Sequence, residues 1–100
     1  MTASVNGKPY RAGRLDALYW TFGEMIAYAS RGTRVVPGDL IGSGTVGTGC
    51  VLELSRVHGA DADPYLVPGD RVRLEVGGLG AIGASVVEGA PVHPLRKEST

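Results

Sequence analysis

A glycine-rich segment, residues 42–49, is the part of this sequence best suited to bind an anionic group. Four glycines fall within these eight residues, between an apolar stretch that ends at Ile41 and another that begins at Val51. Such a loop leaves backbone N–H groups unpaired beside the hydroxyl of Thr45, a combination that suits the anionic oxygens of a ligand. The residues therefore indicate a carboxylate-binding loop, with a glycine-rich bulge or wide hairpin that binds nothing as the alternative.

Two other kinds of glycine-containing motif, a phosphate loop and a serine nucleophile elbow, do not match residues 42–49. A phosphate loop needs a Lys-Ser/Thr pair and then a helix, whereas residues 50–54 read Cys-Val-Leu-Glu-Leu. A serine nucleophile elbow needs Gly-x-Ser-x-Gly, and Ile41 stands where the first glycine is required. Ser43 is therefore not predicted to be a nucleophile.

Glu53 is the second residue that could do chemistry, because it lies between Leu52 and Leu54 in a segment expected to be a strand. It either faces solvent by simple alternation or points into a site, where a carboxylate can orient a histidine. The sequence spacing links neither His58 nor His93 to it.

The composition excludes several classes of function. Ten Lys and Arg balance ten Asp and Glu and are scattered, so no basic stripe offers a surface for nucleic acid or an anionic membrane. No apolar run is long enough to span a bilayer. Cys50 is the single cysteine, which excludes an internal disulfide framework and fits a cytoplasmic protein.

The elements that position these residues follow from local patterns. Asn6-Gly7 is a hairpin turn between strands at residues 2–5 and 8–11, and the short first arm is expected to leave an unpaired edge that favours association. Apolar residues at helical spacing predict one amphipathic helix from Asp16 to Arg31, with Asp16 as N-cap and Gly32 beyond its end.

The second half of the chain reads as turns and strands. Val-Pro-Gly-Asp occurs at residues 36–39 and again at 67–70, each predicted to form a type II turn that starts a strand, with the aspartates bonding the turn. Val72, Leu74 and Val76 alternate with charged residues, and Gly77-Gly78 leads into a further strand. The predicted fold is α+β, one amphipathic helix packed on mixed, mainly antiparallel β structure.

An ordered series of segments resembles the C-terminal portion of the fumarylacetoacetate hydrolase family. The likeness covers about residues 5–88 and extends to part of that family's β-roll. The segments that carry it are Leu-Tyr-Trp-Thr-Phe at 18–22, Met-Ile-Ala-Tyr-Ala-Ser at 25–30, Val-Pro-Gly-Asp-Leu-Ile-Gly-Ser-Gly-Thr at 36–45, Leu-Glu-Leu at 52–54, Leu-Val-Pro-Gly-Asp at 66–70 and Val-Gly-Gly-Leu-Gly at 76–80.

The resemblance implies an enzyme that hydrolyses a carbon–carbon bond in a 1,3-dicarbonyl acid, an acylpyruvate or a fumarylacetoacetate-like compound of aromatic catabolism. It implies that Gly44 and Thr45 bind the substrate carboxylate and that Glu53 is a catalytic residue supporting a histidine. It also implies a divalent ion, Mg²⁺ or Ca²⁺, whose acidic ligands lie upstream of this region, so none is assigned in this chain. Val46 and Ala84 depart from the family pattern and leave the exact substrate open.

Residues 1–88 are therefore expected to be the C-terminal portion of such a catalytic domain, and residues 89–100 a flexible tail. The chain alone is expected to be inactive, with a homodimer or a separate N-terminal half as its partner, besides the small-molecule acid. The alternative is a non-catalytic remnant or small β-rich binding module, which the reading frame upstream of Met1 would distinguish.

Overall fold

The computed structural model describes residues 1–94, which form one four-stranded antiparallel sheet, two α-helices and a short 3-10 turn. The sheet has the order β2-β1-β3-β4. Its strands are β1 (Thr2–Val5), β2 (Lys8–Ala12), β3 (Arg71–Val76) and β4 (Gly80–Ser85). The helices are α1 (Phe22–Ala29) and α2 (Val51–His58), and the 3-10 turn is Leu15–Ala17. This content confirms the α+β class.

The first hairpin forms where the sequence predicts it. Asn6 and Gly7 have φ angles of 52° and 77°, the left-handed values that a tight two-residue hairpin turn requires. However, β1 also pairs with β3, at the far end of the chain. The short first strand is therefore interior, and the open edges of the sheet are β2 and β4 instead.

One face of the sheet is apolar because cross-strand partners point to the same side. The register joins Val5, Val72 and Ala84 in one row, and Ala3, Leu74 and Ile82 in the next. The opposite face carries the charged side chains of β3. The predicted alternation of β3 is thus confirmed, and the strand pairing extends the apolar face from it to both neighbours.

The two Val-Pro-Gly-Asp turns adopt the same hydrogen bonds. In each, the aspartate N–H donates to the first valine's carbonyl at 3.1 Å, and that valine's N–H donates to the aspartate carboxylate at 2.9 Å. Both glycines have a φ of 99°, which confirms the turn conformation expected for them. Only the second turn starts a strand, since the segment after Asp39 has no regular structure.

Asp70 also fastens the second turn to the first hairpin. Its Oδ1 accepts a hydrogen bond from the Asn6 side-chain amide at 2.9 Å, and the Arg71 N–H donates to Asn6 Oδ1 at 2.8 Å. Residues 65 positions apart are thereby joined at the end of β1 and the start of β3. This contact sets the register of the central strand pair.

Acidification is expected to loosen that contact. The Asn6 amide and the Val67 N–H donate to the Asp70 carboxylate and hold the pKa of Asp70 below its ordinary 3.8. A lowered pKa stabilises the folded state fully above 3.8, and the stabilisation is lost as the pH falls through the lowered pKa. An NMR titration should place the Asp70 midpoint below 3.8, and Asn6→Ala should move it back up. A midpoint that does not respond to Asn6→Ala would contradict this assignment.

Helix α1 begins later than predicted. Thr21 is its N-cap and forms a capping box with Glu24, in which the Glu24 N–H donates to Thr21 Oγ1 at 3.2 Å and the Thr21 N–H donates to the Glu24 carboxylate at 2.8 Å. Asp16 is not a cap, because its carboxylate binds Arg14 instead. Residues 18–20 interrupt the predicted helix, so residues 15–17 form only a single 3-10 turn.

Helix α2 replaces the strand predicted around Glu53. Val51 and Leu54 repeat at helical spacing, and Leu54 alone among residues 1–94 is fully buried, with 2% of its surface exposed. Glu53 lies in the first turn and Arg56 in the last, where each complements the helix dipole. The helical spacing and the charges at the two ends of residues 51–58 favour a helix. The strand prediction rests on the alternation of Leu52, Glu53 and Leu54 alone.

Among residues 1–94, no helix Cα lies within 8 Å of a strand Cα, so the helices and the sheet do not approach each other closely at the backbone. Most large apolar side chains are exposed, including Leu40, Leu79 and Ile82. Within residues 1–94, no helix combines the length and apolar composition needed to cross a bilayer. Of the predicted flexible tail, residues 89–94 have no regular secondary structure, and residues 95–100 lie outside the described residues.

Candidate functional site

The glycine-rich loop, residues 42–49, is held in place by a valine wedged between two glycines. A Cβ added to Gly13 would lie 2.4 Å from Val46 Cγ1, and one added to Gly49 would lie 2.6 Å from Val46 Cγ2. Both distances are shorter than any ordinary carbon contact. Gly13 precedes the 3-10 turn, and Gly49 ends the loop. Because both are glycine, the backbone at each position can lie against the Val46 side chain.

A second contact ties the loop to the edge strand β2. The Arg11 guanidinium donates to the Thr48 carbonyl at 3.3 Å and also to the Thr48 hydroxyl. Thr48 has a φ of 57°, a left-handed conformation that is rare for a side chain branched at Cβ. Together with the Gly49 N–H, which donates to the Val46 carbonyl at 2.7 Å, these contacts define a tight turn at the loop's end.

The loop borders a groove of about 360 Å³. Its lining consists of Met1, residues 12–15, residues 17–19 and residues 43–47. Gly44 and Thr45, the two residues predicted to bind substrate, both line it, and Thr45 is exposed to it. Gly44 has a φ of 83°, which only glycine adopts without strain.

The groove is suited to an anion. Among residues 1–94, no protein acceptor takes the backbone N–H groups of residues 43–47. Arg14 lines the same groove and no acidic side chain does. Its guanidinium binds Asp16 through Nε at 2.9 Å and Nη2 at 2.5 Å, which lowers the pKa of the Asp16 carboxyl. The unpaired N–H groups of residues 43–47 are therefore the donors that a carboxylate could use, while the charge of Arg14 is already paired with that of Asp16.

Glu53 does not line this groove. It is exposed in the first turn of α2, and no histidine in residues 1–94 bonds to it. His58, in the last turn of the same helix, instead has its Nδ1 2.6 Å from Asp63 Oδ2. The structure therefore brings Gly44 and Thr45 together and leaves Glu53 apart, and its catalytic role stays a prediction.

One protein-family model matches most of the chain. The family model described as fumarylacetoacetate (FAA) hydrolase C-terminal matches residues 1–87. The chain belongs to this family. No curated protein and no solved structure gives a match to the chain. The match confirms the resemblance and establishes membership of the FAA hydrolase family.

The side chains of residues 1–94 do not fit the divalent ion that FAA hydrolases are expected to use. Nowhere in this range do three His, Cys, Asp or Glu side chains come together as a metal would require. The two turn aspartates are bound to backbone N–H groups, as predicted.

A second cavity, of about 490 Å³, adjoins the other end of the loop segment. Its lining is mostly apolar and consists of Trp20, Glu24, Met25, Tyr28, Ile41 and Gly42. Glu24 is engaged in the α1 capping box through its Oε2. Residues 41–47 thus border an apolar cavity at one end and the anion-binding groove at the other.

Two features of the site are not predicted from sequence. Arg14 is not singled out because it stands alone, and only the fold brings it to a loop about 30 residues later. The pairing of His58 with Asp63 depends on where α2 ends, and the sequence predicts a strand there. Two signals are present in the sequence nonetheless, an arginine two residues after the end of a strand and an aspartate five residues beyond a histidine.

A half-buried tyrosine on β2, Tyr10, lies within electrostatic reach of Asp63. The Tyr10 hydroxyl has no hydrogen-bond partner among the described residues. Burial raises the pKa of Tyr10, and the negative charges of Asp63 and Cys50 raise it further. Neither His58 nor Tyr10 lines the groove. We therefore assign the His58–Asp63 pair to holding the end of α2, where the Asp63 N–H also donates to the Gly59 carbonyl at 3.0 Å.

Proposed function

We propose that the chain supplies the carboxylate-binding part of the active site of an FAA-family hydrolase. The observation that carries this is the groove that Arg14 and residues 43–47, Thr45 among them, line together, with no protein acceptor on the N–H groups of 43–47 among the described residues. The family match supports a hydrolase. A 1,3-dicarbonyl acid is the substrate class that this donor set and that family fit together.

In the proposed reaction, water adds to one carbonyl carbon of the acid, and the bond from that carbon to the carbon between the two carbonyls breaks. The hydroxyl oxygen stays in the new carboxylic acid, and the released carbon takes a proton. The role of this chain is to hold the substrate's own carboxylate, so that the reacting carbonyl is presented in one orientation. Thr45 and the loop N–H groups bind its oxygens, and Arg14, whose charge is paired with Asp16, offers the N–H groups that Asp16 leaves free.

The apolar cavity gives the rest of the substrate a place. If the carboxylate lies against residues 43–47, the remainder of the acid extends along the same segment toward Ile41, Trp20 and Met25. These side chains favour an acyl or unsaturated chain over a polar one. Of the two substrates considered, the cavity therefore favours an acylpyruvate with an apolar acyl chain over a fumarylacetoacetate-like acid, whose far end carries a second carboxylate. A role in aromatic catabolism in the cytoplasm is the remaining part of the proposal.

The alternative, a binding module without catalysis, is favoured by one observation. Glu53, the residue predicted to support a catalytic histidine, lies outside the groove. A remnant that lost its chemistry but kept the loop would bind the same acids. Both functions share the carboxylate site, so binding is the property to measure first.

The proposal predicts weakened acid binding when either polar side chain is removed. Thr45→Val should raise the dissociation constant for acetopyruvate about tenfold, since one hydrogen bond to a charged group contributes roughly 1.5 kcal/mol. Arg14→Ala should raise it at least as much. Isothermal titration calorimetry measures both, and ¹⁵N–¹H spectra should show shifts at the amides of residues 44–47.

Arg34→Ala is the matched control, because Arg34 is an exposed arginine that lines neither cavity. Its affinity should equal that of the unaltered chain. Equal losses in Arg14→Ala and Arg34→Ala would mean that only overall charge matters. Shifts that appear elsewhere and spare residues 44–47 would refute the carboxylate-binding loop.

A further inference from the structure

The apolar cavity beside α1 carries a single charged side chain. The residues that line it are Trp20, Glu24, Met25, Tyr28, Ile41 and Gly42. Glu24 is the one charged residue in that set. Glu24 and Tyr28 are four positions apart and so lie one above the other on the same side of α1, and Trp20 lies two residues before the helix. A carboxylate is therefore set among aromatic and aliphatic side chains.

The Glu24 carboxylate is held in place as an anion. Its Oε2 accepts hydrogen bonds from the Thr21 N–H at 2.8 Å and from the Thr21 hydroxyl at 2.9 Å. These two bonds hold the pKa of Glu24 below its ordinary 4.5. Within residues 1–94, no lysine or arginine forms an ion pair with it. Glu24 therefore brings a negative charge to the cavity that no basic side chain pairs.

The cavity and the groove are close enough to hold the two ends of one small acid. Tyr19 lines the groove and Trp20 lines the cavity, and their rings meet edge to face with centroids 4.9 Å apart. Gly42 likewise lines the cavity, and Ser43 lines the groove. From Gly42 to Thr45 the chain spans at most about 11 Å. An acid whose carboxylate lies at Thr45 can therefore place its other end in the cavity.

The chemistry of that other end decides whether it is accepted. Like charges repel more strongly where apolar side chains replace water, so a second carboxylate is repelled by Glu24. No lysine or arginine lines the cavity, and a carboxylate that enters it gains no cation in return for its lost hydration. An acyl chain that ends in an alkyl group meets neither cost and is buried against the aromatic rings.

We propose that Glu24 is a specificity-determining residue that excludes acids with a second carboxylate and admits acylpyruvates with a neutral acyl chain. This inference rests on the proposed function, because it takes the groove as the site of the substrate's first carboxylate. Glu24 touches none of the reacting atoms in this proposal. Its charge acts on the far end of the substrate.

Glu24→Gln removes the charge alone. Glutamine also completes a capping box at this position, so α1 keeps its N-terminal hydrogen bonds. The probes are succinylpyruvate, whose chain ends in a carboxylate, and isohexanoylpyruvate, in which an isopropyl group of the same shape replaces that carboxylate. Isothermal titration calorimetry should show that Glu24→Gln binds succinylpyruvate about tenfold more tightly than the unaltered chain does, and isohexanoylpyruvate equally to within about twofold.

Glu88→Gln is the matched control, because Glu88 is an exposed glutamate that lines neither the cavity nor the groove, and the variant loses the same charge. Its affinities for both acids should equal those of the unaltered chain. Equal gains in Glu24→Gln and Glu88→Gln would mean that only net charge matters and would overturn the proposal. A Glu24→Gln variant that binds succinylpyruvate no better would also overturn it.

Tyr28→Lys decides instead if circular dichroism shows that Glu24→Gln loses helix. Tyr28 is exposed and lies one turn after Glu24, so the lysine can pair with that carboxylate at a favourable helical spacing and leave the capping box in place. Succinylpyruvate should again bind about tenfold more tightly.

The ¹⁵N–¹H spectra recorded with isohexanoylpyruvate separate this inference from the proposed function. Shifts at the amides of residues 44–47, together with no effect of residue 24 on succinylpyruvate, would overturn the specificity role alone. If neither acid shifts those amides, the carboxylate-binding groove is refuted, and the role of Glu24 is refuted with it.

Discussion

Gly13→Ala is expected to weaken carboxylate binding strongly, although residue 13 itself offers no side chain to a ligand. The added Cβ would lie 2.4 Å from Val46 Cγ1, so either the loop or β2 must move. Overpacking of this kind destabilises by about 1–3 kcal/mol. Because Val46 directly follows Thr45, the displacement reaches the groove. Calorimetry with acetopyruvate should show affinity reduced by roughly ten- to 100-fold.

Gly47→Ala is the control for that effect. Gly47 belongs to the same loop and lines the same groove, but a Cβ there would meet no atom within 4 Å, and its φ is not left-handed. Its affinity should change little. The double variant Gly13→Ala/Val46→Gly should recover binding, because it removes the whole Val46 side chain, including the Cβ that would lie 2.9 Å from the new Cβ. Failure of the double variant to recover would show that Gly13 acts through its backbone instead.

The turns can be predicted from sequence because their signals are local. Asn6-Gly7 and both Val-Pro-Gly-Asp turns form as expected, down to the carboxylate bonds of Asp39 and Asp70. Each involves residues within four positions of one another. Strand β3 is predictable for the same reason, since its alternation is visible within six residues.

The helices show where local patterns compete. Apolar spacing from Leu15 onward suits one long helix, yet the capping box of Thr21 and Glu24 is also in the sequence and determines the start of α1. At Glu53 a single charged residue between two leucines fits a strand as well as a helix. The burial of Leu54, a tertiary property, distinguishes the two.

The residues of the site also divide into those that the local sequence predicts and those that only the fold brings together. Gly44 and Thr45 belong to one loop, and the sequence places them together. Arg14 and the wedge of Val46 against Gly13 join segments about 30 residues apart, and nothing in the pattern of either segment indicates the other. Long-range contacts, including the pairing of β1 with β3, therefore require the structure.

Leu54→Ala is expected to produce the largest loss of stability in the chain. Leu54 is 2% exposed and is the one fully buried side chain among residues 1–94. Truncating a buried leucine costs about 2–5 kcal/mol, from lost apolar burial and from the cavity that remains. That is a large share of a total of roughly 5–15 kcal/mol for a typical domain. Thermal melts followed by circular dichroism should show the midpoint lowered by about 10 °C or more.

Leu52→Ala separates burial from helix propensity in the same experiment. Leu52 lies in α2 two residues earlier and is 49% exposed, so the same substitution removes much less buried surface. Alanine favours helix at both positions, which means that propensity alone would stabilise either variant slightly. Leu54→Ala should therefore melt well below Leu52→Ala. Equal midpoints would show that burial of Leu54 does not hold α2, and that residues 51–58 are helical for some reason other than the packing of that side chain.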